Sequence, residues 1–265
     1  METASSVRTE TQRADAEHAL EVPPPPPPTR DLRHAWRLLR RMREDPTQTS
    51  LGMELVDALG GYFDDLPFQR FATSEFGKRL LREQPDLPAL LADRDALASL
   101  PEDSFGRAFL RFAERNGISP SELVEMATER RAAAGGLDPL RSWFADRQTV
   151  SHDLWHVLTG YGTDPIGENA VLLFTRGQGV AGPGLRILTV FMLLRQPWSV
   201  KGFIWSAYLR GRRATPLILA PYEELLPLPI GVVRERLTLG DPLEAHPGGI
   251  LAQHDAGVVR LTETH

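Results

Sequence analysis

From residue 31 onward, apolar side chains recur at intervals of three and four residues, which is the spacing of one face of an α-helix. The segment DLRHAWRLLRRMRED shows the pattern first, with Leu32, Ala35, Trp36, Leu39 and Met42 on one face and mostly arginine on the other. Convincing alternation of apolar and polar residues, as in a half-buried strand, is absent. The sequence therefore predicts an all-α fold.

Proline and glycine mark where these helices start and stop. Pro120 stands at the first helical position of one segment, and Gly117 closes the preceding one. The same signals predict separate helices over DPLRSWFADR (138–147) and DLWHVLTG (153–160), and a further helical segment over PYEELLPLPIGVVRERLTLG (221–240).

The chain divides into three parts. With 265 residues, 42% of them hydrophobic, it can bury a substantial core, and we assign residues 31–240 to a single multi-helix domain. Residues 1–30 include the run Pro23–Pro28, which favours polyproline II, so we predict a disordered, proline-rich tail. Residues 241–265 lose helical periodicity and are predicted to form an irregular C-terminal tail.

Composition excludes several function classes. A net charge of −5 and a pI near 5.8 argue against a nucleic-acid partner. The chain has no cysteine, so any metal must be bound through nitrogen and oxygen atoms. The N-terminus has no apolar core of a secretory signal and is too acidic for a mitochondrial presequence, which favours a cytoplasmic protein.

The most apolar region, residues 185–209, is too short and too interrupted for a membrane span. Its uncharged run covers only residues 187–194, whereas a spanning helix needs about 20 apolar residues. Two buried helices, or a helix hairpin that touches a membrane surface, fit this pattern better.

The stretch SHDLWHVLTGYGTDPIGE, residues 151–168, concentrates polar side chains around a turn. His152, Asp153 and His156 lie on one helix, where about 100° per residue lets all three converge. Two histidines at i and i+4 are the arrangement by which helical metalloenzymes bind one ion. A turn follows, and Asp164 with its following proline begins the next helix. In the resulting hairpin, Glu168 should face His156, which predicts a mixed nitrogen and carboxylate metal site.

A plainer interpretation stays open at this point. Histidine pairs at this spacing also arise by chance, and either ring can simply form a hydrogen bond at a helix interface. The remaining histidines lie in tails or alone on a helix, without comparable polar neighbours: His18, His34, His246, His254 and His265.

The motif resembles that of a known family. HDLWHVLTGYGTDPIGE looks like the H-D-x-x-H, followed after eleven residues by E, of the coenzyme Q biosynthesis protein 4 family. The segments Leu100–Pro120 and Leu185–Leu209, and the closing YEELLPLPIGVVRERLTLG, resemble its flanking parts. The resemblance covers roughly residues 31–240.

The resemblance implies an all-helical metal protein, usually described with Zn²⁺, whose ligands and metal-borne catalytic residues would be His152, Asp153, His156 and Glu168. Another divalent metal, such as Fe or Mn, would also suit these donors. It further implies an enzyme of ubiquinone biosynthesis, a decarboxylase and hydroxylase acting at C1 of a polyprenylated aromatic ring precursor. There a carboxylate is lost and a hydroxyl is gained.

The resemblance also implies partners. They are the polyprenylated ring precursor, a membrane surface bound peripherally, other quinone-biosynthesis proteins and a second copy of the chain in a homo-oligomer. The acidic, proline-rich N-terminus departs from an obvious presequence, so we expect a bacterial member, cytoplasmic and peripherally associated with the inner membrane. An alternative function is a non-catalytic scaffold in which the metal braces the hairpin while the protein binds the lipid precursor.

Overall fold

The computed structural model describes residues 24, 31–44, 51, 54–55, 58–59, 65–133, 135–246, 251–252 and 260–261. Within these ranges the fold is helical, which confirms the predicted all-α class. Apart from Pro24, the predicted disordered tail lies outside the described residues.

The helices follow one another with short connections. In chain order they are α1 (Leu32–Glu44), α2 (Leu66–Thr73), α3 (Glu75–Glu83), α4 (Leu87–Ala92), α5 (Arg94–Ser99), α6 (Phe105–Asn116), α7 (Pro120–Ala133), α8 (Pro139–Thr159), α9 (Pro165–Gly177), α10 (Pro183–Arg195), α11 (Trp198–Arg213), a 3₁₀ turn (Leu217–Leu219), α12 (Tyr222–Leu225), α13 (Ile230–Arg236) and α14 (Pro242–Ala245).

Two predicted helix boundaries are wrong. The segments expected as separate helices over 138–147 and 153–160 form the single 21-residue helix α8, because no proline or glycine separates them. The segment 221–240 is divided into α12 and α13 by Pro227 and Pro229, which cannot continue a helix.

The C-terminal segment contains more order than an irregular tail. Asp241 accepts a hydrogen bond from the backbone N–H of Leu243, and Pro242 begins α14. Two short strands, β1 (Leu251–Ala252) and β2 (Arg260–Leu261), pair antiparallel. The expectation of irregular structure is therefore corrected for these residues.

The central core surrounds α8. It is built from apolar side chains of α6, α8, α9 and the C-terminal helices, among them Phe105, Phe109, Leu154, Leu158, Phe174, Tyr222 and Val233. A second, smaller core forms where Ala35 and Leu38 of α1 pack with Leu188 of α10. Helix α8 is thus enclosed on several sides, which fixes the position of the histidines near its C-terminal end.

Helices α9 and α11 approach each other closely at two glycines. A Cβ atom built on Gly211 would lie 2.1 Å from the carbonyl oxygen of Phe174, and one on Gly177 would lie 2.2 Å from that of Tyr208. Both distances are well inside van der Waals contact, so only glycine permits this packing. The contact holds α9, which carries Glu168, against the rest of the fold.

The apolar hairpin of α10 and α11 is only partly buried. Ile204 and Ala207 are inaccessible to solvent, whereas Leu194 is 69% exposed and Trp198 is 87% exposed. No helix among the described residues combines the length and the hydrophobicity that crossing a bilayer requires.

The glycine contact makes a stability prediction. We expect Gly211→Ala to destabilise the protein by about 1–3 kcal/mol, because overpacking forces the two helices apart. The matched control is Gly202→Ala on the same helix, where a Cβ meets no atom within 4 Å. This control should be neutral or stabilising by up to about 1 kcal/mol. Urea unfolding of both variants is the measurement, and equal midpoints would contradict the packing described.

Candidate metal centre

The residues predicted to end α8 and to begin α9 have these roles in the structure. Gly160 ends α8 in the left-handed region at φ +79°, and its N–H donates to the carbonyl of His156 at 2.9 Å. The Asp164 carboxylate accepts from the N–H groups of Ile166 at 3.0 Å and Gly167 at 3.1 Å, which starts α9. The helix hairpin expected from the sequence is therefore present.

A third glycine contact tightens this turn. A Cβ on Gly167 would lie 2.0 Å from the carbonyl oxygen of Gly162, so the first turn of α9 rests directly on the backbone of the loop. Sequence patterns do not reveal this contact. Gly167 lies inside a helix, where glycine is otherwise unfavourable, and the spacing of the sequence gives no reason for a glycine there.

Three side chains converge across the hairpin. The Nε2 atoms of His152 and His156 lie 3.1 Å apart, and the two oxygens of Glu168 each lie 3.3 Å from one of these nitrogens. One ligand atom from each residue falls within 4.8 Å of the others. This is the cluster that the spacing of the motif predicts, formed by two helices on either side of one turn.

The cluster has the dimensions of a metal site. Bonds of about 2.0–2.1 Å from a tetrahedral ion place neighbouring ligand atoms about 3.3 Å apart, which the 3.1 Å between the two Nε2 atoms approaches. The 3.3 Å separations from these nitrogens run to different oxygens of Glu168. Two imidazole nitrogens and one carboxylate suit Zn²⁺, and the same set binds Fe²⁺ in non-haem oxygenases. Three protein ligands leave coordination positions for water or substrate.

Asp153 is not part of this cluster. The structure brings together three of the four predicted ligands, and the Asp153 carboxylate is not among the converging atoms. On the helical wheel it lies about 60° beyond His156. It is 9% exposed, and burial raises its pKa. Its role as a ligand stays a prediction.

A hydrogen bond fixes the orientation of His156. Its Nδ1–H donates to the backbone carbonyl of Tyr161 at 3.1 Å, which leaves Nε2 with its lone pair toward the cluster. Phe112 of α6 stacks on the imidazole, with ring centroids 5.8 Å apart and planes 18° from parallel. His156 is therefore oriented as a nitrogen ligand, because a hydrogen bond at the other ring nitrogen fixes the direction of a histidine ligand in metal sites.

Within the cluster, the facing groups favour the charged forms of Glu168 and His152. Burial of Glu168 opposes ionisation, but the facing imidazoles of His152 and His156 outweigh it and lower its pKa to about 2. Burial also opposes charge on His152, yet its hydrogen bond to Glu168 raises its pKa. The carboxylate is ionised at neutral pH, as a metal ligand must be.

One exposed edge gives access to the cluster. The side chain of His156 is 1% exposed, whereas those of His152 and Glu168 are 33% and 28% exposed. An incoming molecule can reach the site over this edge.

The sequence interpretation missed three residues around the site. Tyr161 and Phe112 carry no motif signal, and their contacts with His156 arise from tertiary packing. His246, assigned from the sequence to a tail, is 8% exposed and its Nε2 lies 3.1 Å from the Tyr161 hydroxyl. A single histidine far along the chain offers no signal of such a contact.

Residues 62–242 match the family model for coenzyme Q (ubiquinone) biosynthesis protein Coq4. The chain belongs to the Coq4 family. The match spans the metal-site hairpin and confirms the resemblance seen in the motif. It begins after α1, so the helix at residues 32–44 lies outside the matched region.

Named relatives are similar to this Coq4 chain over part of its length. The mitochondrial ubiquinone biosynthesis protein COQ4 of Eremothecium gossypii is 30% identical over 179 residues, covering 63% of this chain and 50% of the relative. The mitochondrial COQ4 homologue of Bos taurus is 29% identical, with 63% and 62% covered. This chain thus spans about half to three fifths of the length of these relatives. Both are named as mitochondrial; nothing in these comparisons supports the bacterial inner-membrane association predicted for this chain, which stays a prediction.

A solved structure shares the fold. A crystal structure of a Nostoc punctiforme protein aligns with a TM-score of 0.56 and 19% identity, covering 80% of this chain and 100% of that one. At this identity the likeness concerns the architecture alone.

The three-residue cluster predicts how metal binding responds to substitution. His156→Ala and Glu168→Ala should lose the bound divalent ion, because each removes one of three ligands. Asp153→Asn should keep about one ion per chain, since its carboxylate lies outside the cluster. Elemental analysis of purified protein measures this stoichiometry, with His34→Ala on α1 as the histidine control. Loss of the ion in Asp153→Asn would instead support a fourth ligand at that position.

Proposed function

We propose that this Coq4 chain is a metal-dependent enzyme of ubiquinone biosynthesis that replaces the C1 carboxylate of a polyprenylated aromatic ring by a hydroxyl. The observation that carries the proposal is the open cluster of His152, His156 and Glu168. Had four protein ligands closed the site, a structural ion would have been favoured; three ligands with an exposed edge suit a catalytic one.

A divalent ion held by His152, His156 and Glu168 would supply Lewis-acid stabilisation for a ring carboxylate or phenolate. The residues of the chain prepare for this. Glu168 is ionised, and the hydrogen bond to Tyr161 presents the Nε2 lone pair of His156. His152 lies at the exposed edge, where the ring of the precursor would approach.

The overall conversion requires an oxidant. An aryl carboxylate and water give the phenol, carbon dioxide, one proton and two electrons, and the chain has no cysteine pair to accept those electrons. We propose dioxygen as the acceptor, giving hydrogen peroxide with two protons. Zn²⁺ has no redox chemistry, so with Zn²⁺ at the site dioxygen would have to react directly with the electron-rich ring. Fe²⁺ and Mn²⁺ have redox chemistry of their own, so this requirement would not apply to them.

A lipid precursor places the reaction at a membrane surface, and one edge of the fold suits such a surface. We call it the hairpin edge, defined by Leu194, Trp198, Lys201 and Trp205 where α10 meets α11. Trp198 and Leu194 are 87% and 69% exposed, and the Lys201 ammonium lies 4.1 Å from the Trp198 ring centre. Tryptophan and lysine side by side are typical of the membrane interface.

Charge also favours this surface. Arg195 and Lys201 lie at this edge, and residues 169–222 contain no acidic residue, although the whole chain has a net charge of −5. A locally cationic, aromatic edge complements anionic lipid headgroups. Peripheral docking of the hairpin edge is therefore part of the proposed function.

Activity of ligand variants tests the catalytic proposal. His156→Ala and Glu168→Ala should lower conversion of a C1-carboxylated polyprenyl ring by more than the roughly 10–100-fold typical of outer-shell changes. Circular dichroism checks that both variants stay folded, and His34→Ala should retain full activity. Product and carbon dioxide are measured by mass spectrometry with and without dioxygen. Full turnover in either ligand variant would rule out the enzyme, and a folded wild type that binds precursor without converting it would support the scaffold alternative.

Vesicle binding tests the hairpin edge. The double change Trp198→Ser and Lys201→Glu should lower partitioning to vesicles of phosphatidylcholine and phosphatidylglycerol by more than about tenfold, since each basic residue contributes about 1 kcal/mol and the exposed indole adds apolar area. Met126→Ser on α7 removes a comparably exposed apolar side chain, 55% accessible, and should have no effect. Equal sedimentation of both variants with vesicles would place the docking surface elsewhere.

A further inference from the structure

Both the backbone carbonyl and the side-chain hydroxyl of Tyr161 have a histidine as partner. Its backbone carbonyl accepts the Nδ1–H of His156 at 3.1 Å, and its hydroxyl lies 3.1 Å from Nε2 of His246. The side chain itself is 2% exposed. Tyr161 thus connects a residue of the metal cluster with a residue 85 positions away in sequence.

His246 is built into this contact by its surroundings. Its ring packs on Phe203 with centroids 4.7 Å apart, and Phe203 also meets the Tyr161 ring edge-on at 5.7 Å. Burial and the charge of Arg210 lower the pKa of His246 to about 4. The imidazole is therefore neutral at physiological pH, so its Nε2 can accept the hydrogen bond from the tyrosine hydroxyl.

Arg210 of α11 contacts the Tyr161 ring and two nearby backbone carbonyls. Its guanidinium lies 5.5 Å from the centre of the Tyr161 ring, donates to the carbonyl of Thr159 at 2.6 Å and donates to that of Leu239 at 3.1 Å. The end of α8 and the C-terminal segment are therefore tied together around the same tyrosine.

We propose that Tyr161 and His246 are positioning residues of the metal centre, which orient His156 through the Tyr161 carbonyl. The ring position of Tyr161 sets where its carbonyl lies, and the carbonyl selects the tautomer and the direction of the His156 imidazole. Outer-shell hydrogen bonds of this kind tune metal sites without touching the ion. The inference rests on the proposed function only through the presence of the metal.

Metal affinity and the Co²⁺ spectrum test the proposal on the full chain. Tyr161→Phe removes only the hydroxyl, and His246→Phe removes the acceptor while keeping an aromatic ring. Both should weaken Zn²⁺ binding, measured by competition with a chromophoric chelator, by about tenfold. Both should also shift the visible absorption of the Co²⁺ form. His246→Gln keeps an acceptor and should restore most of the affinity, and His34→Phe is the matched control without effect.

A second readout does not need the metal. Long-range ¹⁵N–¹H correlation spectra of the metal-free protein report the tautomer of His156, which should be protonated at Nδ1 in the wild type and mixed in Tyr161→Phe and His246→Phe. If both variants keep the wild-type tautomer and Zn²⁺ affinity, the positioning role is overturned. The same holds if His34→Phe reproduces their losses. If the tautomer changes and Zn²⁺ affinity falls in both variants but the wild type converts no precursor, the positioning role stands and the proposed function fails.

Discussion

The turn between α8 and α9 is the constraint on which the candidate site depends. Gly160 in the left-handed region ends one helix, Asp164 caps the next, and Gly167 lies against the backbone of Gly162. Because Glu168 follows the cap by four residues, the geometry of this turn sets its distance from the two histidines. A wider turn would leave a half-buried carboxylate without its partners, which costs free energy.

The end of α8 is also stabilised from outside the motif. The Arg234 guanidinium donates to the carbonyls of Val157 and Leu158, each at 3.0 Å, and Arg210 donates to that of Thr159. These carbonyls have no partners within the helix, and cations at a helix C-terminus also complement its dipole. The last turn of α8 is thus held by α11 and α13, which explains how a site beside a loop keeps its shape.

Local chemistry in the sequence predicted much of this site, and non-local packing accounts for what it missed. The i, i+4 histidines, the glycine end of α8 and the cap of Asp164 act within a few residues, so spacing was enough to place His152 and His156 opposite Glu168. The continuity of α8 was missed because no local signal distinguishes two short helices from one long helix without breakers. The position of His246 depends on a contact across 85 residues, which no periodicity records. Asp153 lies outside the converging group although the helical wheel allows it to join, because the direction of a side chain toward a second helix also depends on how the two helices cross; its role as a ligand stays a prediction.

X-ray absorption at the edge of the bound metal tests the central claim most directly. The purified full-length chain should show two imidazole ligands, recognised by their outer-shell multiple scattering, with metal–nitrogen distances of about 2.0–2.1 Å, together with oxygen donors from Glu168 and water or substrate. Scattering from one imidazole or none would contradict a metal centre formed by His152, His156 and Glu168.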